Sequence, residues 1–259
     1  MAWFDPSYFC PASTELNFAH FTDAHLFAQP QEQYFGVRTA QHLQQTLAAM
    51  AAEAFDFVVF GGDLTQDHSP ESYQLFAELV ANSALQCPVF WVPGNHDELS
   101  QLNAMTEGQI RPEKRIEHAC GQVLLINSKG DTPAGWVAEN HLAELGDAID
   151  TAASQHVFIT HHHPLPIHGY LDKHILENGD ALLQCIETRS RSATVLHGHT
   201  HHDYYHDYQG VEVFGTPATS VQFVKNAASW QQENLGPGYR RVRLEANKAP
   251  ITEVKWLAN

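Results

Sequence analysis

The chain has 259 residues, 43% of them hydrophobic, which is the composition of a globular protein of one large domain or at most two. Lys and Arg total 14 against 30 Asp and Glu, and the formal net charge of −16 argues against the broad basic surface that polynucleotide binding requires. No apolar run approaches the roughly 18 residues of a membrane span, and a small phosphorylated substrate is admissible only if the site supplies positive charge.

In chain order, residues 16–21 (LNFAHF) read as a buried strand followed by Thr22-Asp23-Ala24-His25. Leu43, Leu47, Met50 and Ala54 recur at helical spacing, with Thr39 as the expected cap. Residues 55–60 (FDFVVF) form the next strand and run into Gly61-Gly62-Asp63. Ser69 and Pro70 mark a helix start, with Phe76, Leu79 and Val80 as its apolar stripe. Residues 89–92 (VFWV) lead into Pro93-Gly94-Asn95-His96-Asp97. Arg111, Lys114 and Arg115 then form a small basic cluster, read as a solvated loop.

A strand at 123–127 and a helix carrying Leu142, Leu145 and Ile149 come next. Residues 157–160 end on His161, His162 and His163, and residues 193–196 end on His197-Gly198-His199-Thr200-His201. Strands alternating with helices predict an α/β protein. From 211 onward the pieces VEVFG, YRRVRLEA and ITEVKWL predict a β-rich extension, 211–259, packed on a single domain spanning 1–259.

Each strand delivers a metal-capable side chain at its carboxyl end, the edge where open α/β sheets bind ligands. In extended chain, residues two apart point the same way, so Asp23 with His25 and His199 with His201 are each expected to present a pair. Any one such pair is weak evidence, since a strand-end Asp or a hydrogen-bonded core histidine explains it equally well. Five in series point to a metal site. The donors are carboxylate, imidazole and amide without thiolate, which suits Mn, Fe, Co or catalytic Zn. Cys10, Cys87, Cys120 and Cys185 form no C-x-x-C pair, and with no secretory signal in MAWFDPSYFCPAS the expected setting is cytoplasmic.

The ordered set D-x-H, G-D, G-N-H-D, H and G-H-x-H resembles the calcineurin-like metallophosphoesterases. Within them HHHPLP, YLD at 170–172, GTPATSVQF at 215–223 and GPGYR at 236–240 are similar to bacterial class III cyclic-nucleotide phosphodiesterases. The resemblance implies a four-layer α/β/β/α sandwich of two mixed β-sheets flanked by helices, and a dinuclear centre. It places Asp23, His25, Asp63 and His201 on one metal and Asp63, Asn95, His162 and His199 on the other. His162 is selected because the family's histidine lies two residues before a proline; His161 and His163 are hydrogen-bonding neighbours and fallback ligands.

The activity implied is hydrolysis of a 3′,5′-cyclic nucleotide, cyclic AMP to 5′-AMP, with two divalent ions (Mn or Fe, with Zn or Co as alternatives) sharing a hydroxide nucleophile. His96 is the expected general acid, Asn95, His96 and His201 the substrate contacts, and Asp67 or Asp97 the carboxylate that orients His96. His202 is a candidate substrate contact. Departures from the family pattern, namely Tyr170 in place of the usual tryptophan and Gly215, Ala218 and Ser220, leave substrate choice open. The alternatives are another phosphodiester, a phosphomonoester or a nucleotide pyrophosphate, and a non-catalytic scaffold. A homodimer is the expected assembly; no polynucleotide partner is.

Overall fold

The computed structural model describes residues 2–259. Its central strands read as apolar runs because both of their faces are covered. In β2 (Glu15–Phe21), Leu16 and Phe18 point one way and Ala19 and Phe21 the other, all fully buried. In β3 (Phe57–Phe60), Phe57 and Val59 alternate with Val58 and Phe60 in the same fashion. A sheet wet on one side would show polar residues at every second position.

β2, β3 and β4 (Val89–Trp91) run parallel, and β13 (Gly238–Glu245) and β14 (Ile251–Trp256) add antiparallel strands on the β2 side, giving a five-stranded sheet. The second sheet has seven strands. From one edge these are β1 (Ser7–Phe9), β5 (Arg115–His118), β6 (Gly121–Leu125), β7 (His156–Thr160), β8 (Ala193–His197), β10 (Val211–Gly215) and β9 (Tyr204–Tyr208). A short ribbon, β11 (Gln222–Phe223) with β12 (Gln232–Glu233), stands apart.

Helices α1 (Thr39–Ala51), α2 (Pro70–Ala81) and α3 (Leu99–Ala104) cover the five-stranded sheet through Leu43, Leu47, Met50, Tyr73, Phe76 and Leu102. Helices α4 (Glu139–Ala148) and α5 (Gly179–Glu187) cover the other sheet through Leu145, Leu182, Leu183 and Ile186. Between the sheets, Phe18, Phe57 and Phe90 meet Val123, Val157, Ile159 and Leu196. Burying each such side chain contributes about 1.5–3 kcal/mol. The layers are therefore helix, sheet, sheet, helix, as expected.

Several local expectations need correction. Ser69 caps α2 by accepting from the Ser72 N–H, with Pro70 following it, but Thr39 is the first residue of α1 and donates its hydroxyl to the His25 carbonyl. Ala54 lies beyond α1 and is exposed. The β-rich residues 211–259 supply strands to both sheets: β10 joins the seven-stranded sheet, while β13 pairs with β2 in the other. The basic cluster is not a solvated run. Arg111 pairs with Glu113, Arg115 opens β5, and Lys114 is buried, its Nζ donating to the Trp91 carbonyl at 2.8 Å over that residue's ring.

Candidate metal centre

The parallel strands β2, β3, β4, β7 and β8 end at the same edge of the sandwich, and the loops leaving them carry the donors. Asp23, His25 and His201 form one group, and His161, His162 and His199 another; within each group one donor atom per residue lies within 4.8 Å of the others. Asp63 belongs to both neighbourhoods, closing one group with His25 and His96 and another with Asp23 and His161. His199 and His201 thus fall in different donor groups rather than presenting a pair. Asp23, His25, Asp63, His162, His199 and His201 gather at one sheet edge, with His161 and His96 beside them.

The backbone route to it differs from the extended chain assumed from spacing. Asp23, His25, Asp63, His199 and His201 all have left-handed φ, between 45° and 62°. Each such residue costs of order 1–3 kcal/mol, toward the low end for Asp and His. The surroundings fix them. The Asp23 N–H donates to the Gly62 carbonyl, His25 N–H to Asp63 and Leu26 N–H to Leu64, so the loops after β2 and β3 run bonded side by side. The His199 N–H donates to the Asp23 carboxylate at 3.0 Å, and the Ser220 hydroxyl donates to the Asp23 carbonyl at 2.6 Å. The stretch 215–223 is therefore a clamp behind the site. A Cβ on Gly94 would overlap the Asp63 carboxylate, and one on Gly198 would overlap Thr22 and crowd Asp23.

Hydrogen bonds fix which ring nitrogens are free. Nδ1–H of His201 donates to the Val221 carbonyl (2.7 Å), that of His161 to Gly61 (2.8 Å) and that of His25 to the Gln66 side-chain carbonyl (2.8 Å). In each case Nε2 faces Asp23 or Asp63, at 3.3, 3.4 and 3.8 Å respectively. His162 Nδ1 contacts Ser128 Oγ at 2.8 Å, while His199 is held by Nε2 at the His174 carbonyl and keeps Nδ1. Nε2 of His162 and Oδ1 of Asn95 are buried without a hydrogen-bond partner. In folded proteins most buried polar atoms have a hydrogen-bond partner, and metal-binding imidazoles characteristically donate their second nitrogen as these do. The residues present fit divalent cations.

Electrostatics agree with donor roles. Burial, then the neighbouring imidazoles His201 and His96, lowers His25 to about 3. Burial and adjacent imidazoles hold His162 and His199 well below the ordinary histidine value. Burial works to raise the Asp63 carboxyl, yet His161, His96 and His25 together hold it well below its usual range. Neutral imidazoles beside ionised carboxylates are the protonation states that ligands need. His161 differs: burial opposes its charged form, but Asp63 and Asp23 raise it to about 9. It braces Asp63 as an ion-pair partner, and would have to lose its Nε2 proton to serve as a ligand.

His96 is half-buried beside Asn95, its edge against the His25 ring and its Nδ1 buried without a partner. Neither proposed orienting carboxylate touches that ring. Asp67 accepts from the Ala28 and Ser69 N–H groups and the Ser69 hydroxyl, fixing the loop before α2. Asp97 accepts from the Leu64 and Gly94 N–H groups, fixing the turns that carry Asp63 and Asn95. His68, overlooked in the sequence, stacks on His96 at 5.4 Å and bonds its carbonyl.

His201 is enclosed, with Phe223 stacked on its ring at 4.0 Å, so it sits among the donors and not at a substrate face. His202 points to Glu233 and Trp256, away from the cluster. Two further residues were not foreseen: Tyr34, stacked on His25, and Lys129, whose Nζ donates to the Asn95 carbonyl at 3.1 Å.

Comparison with known proteins agrees with this geometry. Residues 16–203 match the family described as calcineurin-like phosphoesterase. The chain belongs to that family. As a calcineurin-like phosphoesterase it is a hydrolase of phosphoesters that uses divalent metal ions. It is 49% identical to a protein of Pseudoalteromonas sp. (strain SM9913) named "Probable cyclic nucleotide phosphodiesterase", with 99% of each chain covered. It is 35% identical to the 3′,5′-cyclic adenosine monophosphate phosphodiesterase CpdA of Escherichia coli (strain K12), covering 92% of this chain and 88% of that one. Among solved structures, a dimetal phosphatase from Danio rerio superposes with a TM-score of 0.64 at 12% identity, covering 92% and 98% of the two chains. A purple acid phosphatase from yellow lupin seeds gives 0.66 at 14% identity, covering 96% and 52%. At those identities the structures attest the fold alone. Among the described residues, no helix is long and apolar enough to cross a membrane.

Proposed function

We propose that the chain hydrolyses 3′,5′-cyclic nucleotides, cyclic AMP among them, to 5′-monophosphates at a dinuclear metal centre. The observation that carries this reading is the pair of donor groups meeting at Asp63, in a chain collinear with the Pseudoalteromonas protein over 99% of its length. Asp23, His25, Asp63 and His201 would hold one cation, and Asp63, Asn95, His162 and His199 the other, with Mn or Fe suiting the donor set. Bound there, such cations offset phosphate charge and activate water.

The chain's own contribution is placement and proton transfer. Five strained donors and Asn95 are held at the strand ends before any substrate arrives, so little reorganisation accompanies the reaction. His96 is the group that returns a proton to the leaving ribose oxygen, with Nδ1 free of other partners to carry it. His68 stacks against that ring and, with the bond to the His96 carbonyl, restricts its swing. Free, well-separated cysteines support a reducing, cytoplasmic setting as part of the same reading.

The test is turnover of cyclic AMP by Mn²⁺-loaded protein, beside bis(p-nitrophenyl) phosphate and 5′-AMP. Cleavage of cyclic AMP to 5′-AMP without further hydrolysis supports the proposal. Cleavage of the aryl diester alone would keep the metal centre and reject the substrate; cleavage of 5′-AMP would make it a phosphomonoesterase.

A further inference from the structure

Two aromatic side chains stand exposed beside the metal centre, and packing accounts for neither. Phe35 is 47% exposed and Trp230 is 39% exposed, yet their rings meet at 5.7 Å. Each is joined to a proposed ligand by one intervening ring. Tyr34 stacks on His25 at 4.9 Å and meets Phe35 at 4.5 Å; Phe223 stacks on His201 at 4.0 Å and meets Trp230 at 4.6 Å. His25 and His201 are themselves neighbours, 3.1 Å apart at Nε2, so the six rings close an arch rising from the metal site. Tyr170 lies edge-on to Trp230 at 5.8 Å and buttresses it.

Phe35 also sits where a phenylalanine is costly. Tyr34 and Val37 exchange backbone hydrogen bonds around a two-residue turn, Phe35-Gly36, in which both residues have positive φ, 48° and 81°. Such a turn favours Asn-Gly or Gly-Gly, and a bulky side chain with positive φ is an outlier. Local strain and an exposed aromatic ring coincide at one residue, which is the combination found where a site is built to bind.

The arch stands on the side of the site where the substrate's sugar must lie. His25 packs its face on Tyr34 and meets the edge of His96, so the proposed acid and the aromatic wall share one rim. A proton from His96 goes to a ribose oxygen, and the base projects from that same ribose. Two exposed side chains are too small a patch for a protein partner, whose contact covers about 800 Å² per side. They match a single planar heterocycle, since every base offers a π-face to an aromatic ring.

We infer that Phe35 and Trp230 form the nucleobase platform of this enzyme, the specificity-determining contact for the part of the substrate that the metals do not touch. The inference rests on the cyclic-nucleotide reading above. Trp230→Ala and Phe35→Ala are each expected to lower kcat/KM for cyclic AMP roughly tenfold or more, chiefly through KM, on the scale of base–aromatic stacking. Turnover of ribose 3′,5′-cyclic phosphate, which lacks the base and carries no other aromatic ring, is expected to stay within twofold, and Trp230→Tyr is expected to retain most of the cyclic AMP activity. Equal losses on both substrates, or no loss on either, would overturn the platform.

A binding arm separates failure of the platform from failure of the function reading. Titration with 5′-AMP is expected to quench tryptophan fluorescence in the wild type and not in Trp230→Phe, while ribose 5-phosphate leaves both unchanged. Quenching by 5′-AMP in a protein that turns over no cyclic nucleotide would reject the function and keep the platform. Absence of quenching that tracks Trp230 would reject the platform whatever the turnover.

Discussion

Gly94 packs so closely on Asp63 that a single methyl group at its Cα would overlap the carboxylate that joins the two donor groups. The Gly94 N–H also donates to Asp97 Oδ2 at 2.8 Å, so the turn cannot move away without breaking a buried hydrogen bond. Gly94→Ala is therefore expected to displace Asp63, costing about 1–3 kcal/mol in stability and at least about a hundredfold in diesterase turnover. Metal content after dialysis and bis(p-nitrophenyl) phosphate turnover check it; a fully loaded, fully active variant would show that the contact relaxes harmlessly.

Ser128 Oγ is the side-chain partner that fixes the His162 ring, at 2.8 Å from Nδ1. Losing a partner that orients a metal-binding histidine commonly weakens metal affinity 10- to 100-fold, and Ser128→Ala is expected to do so. Isothermal titration with Mn²⁺ would register it. An unchanged affinity would point to His161, and not His162, as the ligand from this strand end.

Asp67 and Asp97 separate two roles that spacing alone confuses. Asp97 accepts two backbone N–H groups from fully buried surroundings. Asp97→Asn turns one acceptor into a donor facing an N–H, and is expected to cost about 1–3 kcal/mol and to lower metal occupancy. Asp67 is exposed, and Asp67→Asn is expected to cost no more than about 1 kcal/mol with turnover nearly unchanged. Urea unfolding and turnover of both variants decide the matter; a large kinetic loss in Asp67→Asn alone would restore it as the residue that orients His96.

Lys114 is the one member of its basic cluster that the fold buries. Its Nζ lies 3.0 Å above the Trp91 ring centre, a geometry that favours the charged form by about 2 kcal/mol. Removal from water costs several kcal/mol per ion, so burial wins and holds the pKa well below the usual lysine range. Between that depressed value and the unfolded value near 10.4 the unfolded chain binds more protons, so this residue's contribution to stability rises with pH. The stability advantage of Lys114→Met over wild type is expected to shrink by up to about 1.4 kcal/mol per pH unit on the alkaline side of neutrality. Urea unfolding of both proteins at successive pH values measures it; parallel profiles would mean that Lys114 is charged in the fold.

What the sequence shows and what it hides divide along the range of the interactions. Strands β2, β3, β4, β7 and β8 were legible because both faces are apolar, and the donors were legible because they follow those strands immediately. The short elements β1, β5 and α3, of 3, 4 and 6 residues, carry too little pattern to be seen. The left-handed backbone at Asp23 and His199 depends on bonds from Gly62 and from the Asp23 carboxylate, partners that only folding brings near. The bond of Asp67 to the Ala28 N–H was hidden for the same reason, since the two lie 39 residues apart. The arch from Phe35 to Trp230 joins residues 195 apart and has no local signature.

His96 can be tested by leaving group. His96→Ala is expected to lower turnover of cyclic AMP, whose alkoxide needs a proton, by about 10²- to 10⁴-fold. Turnover of bis(p-nitrophenyl) phosphate, whose phenolate does not, should fall far less. Equal losses on the two substrates would contradict the acid assignment.

The central claim is that two cations held across Asp63 are needed for cyclic-nucleotide hydrolysis. The most direct measurement is stepwise Mn²⁺ titration of metal-stripped protein, with cyclic AMP turnover and bound metal read at each step. The account requires turnover to reach its plateau at two equivalents per chain and to vanish in Asp63→Asn. A plateau at one equivalent, or turnover that survives in Asp63→Asn, would contradict it.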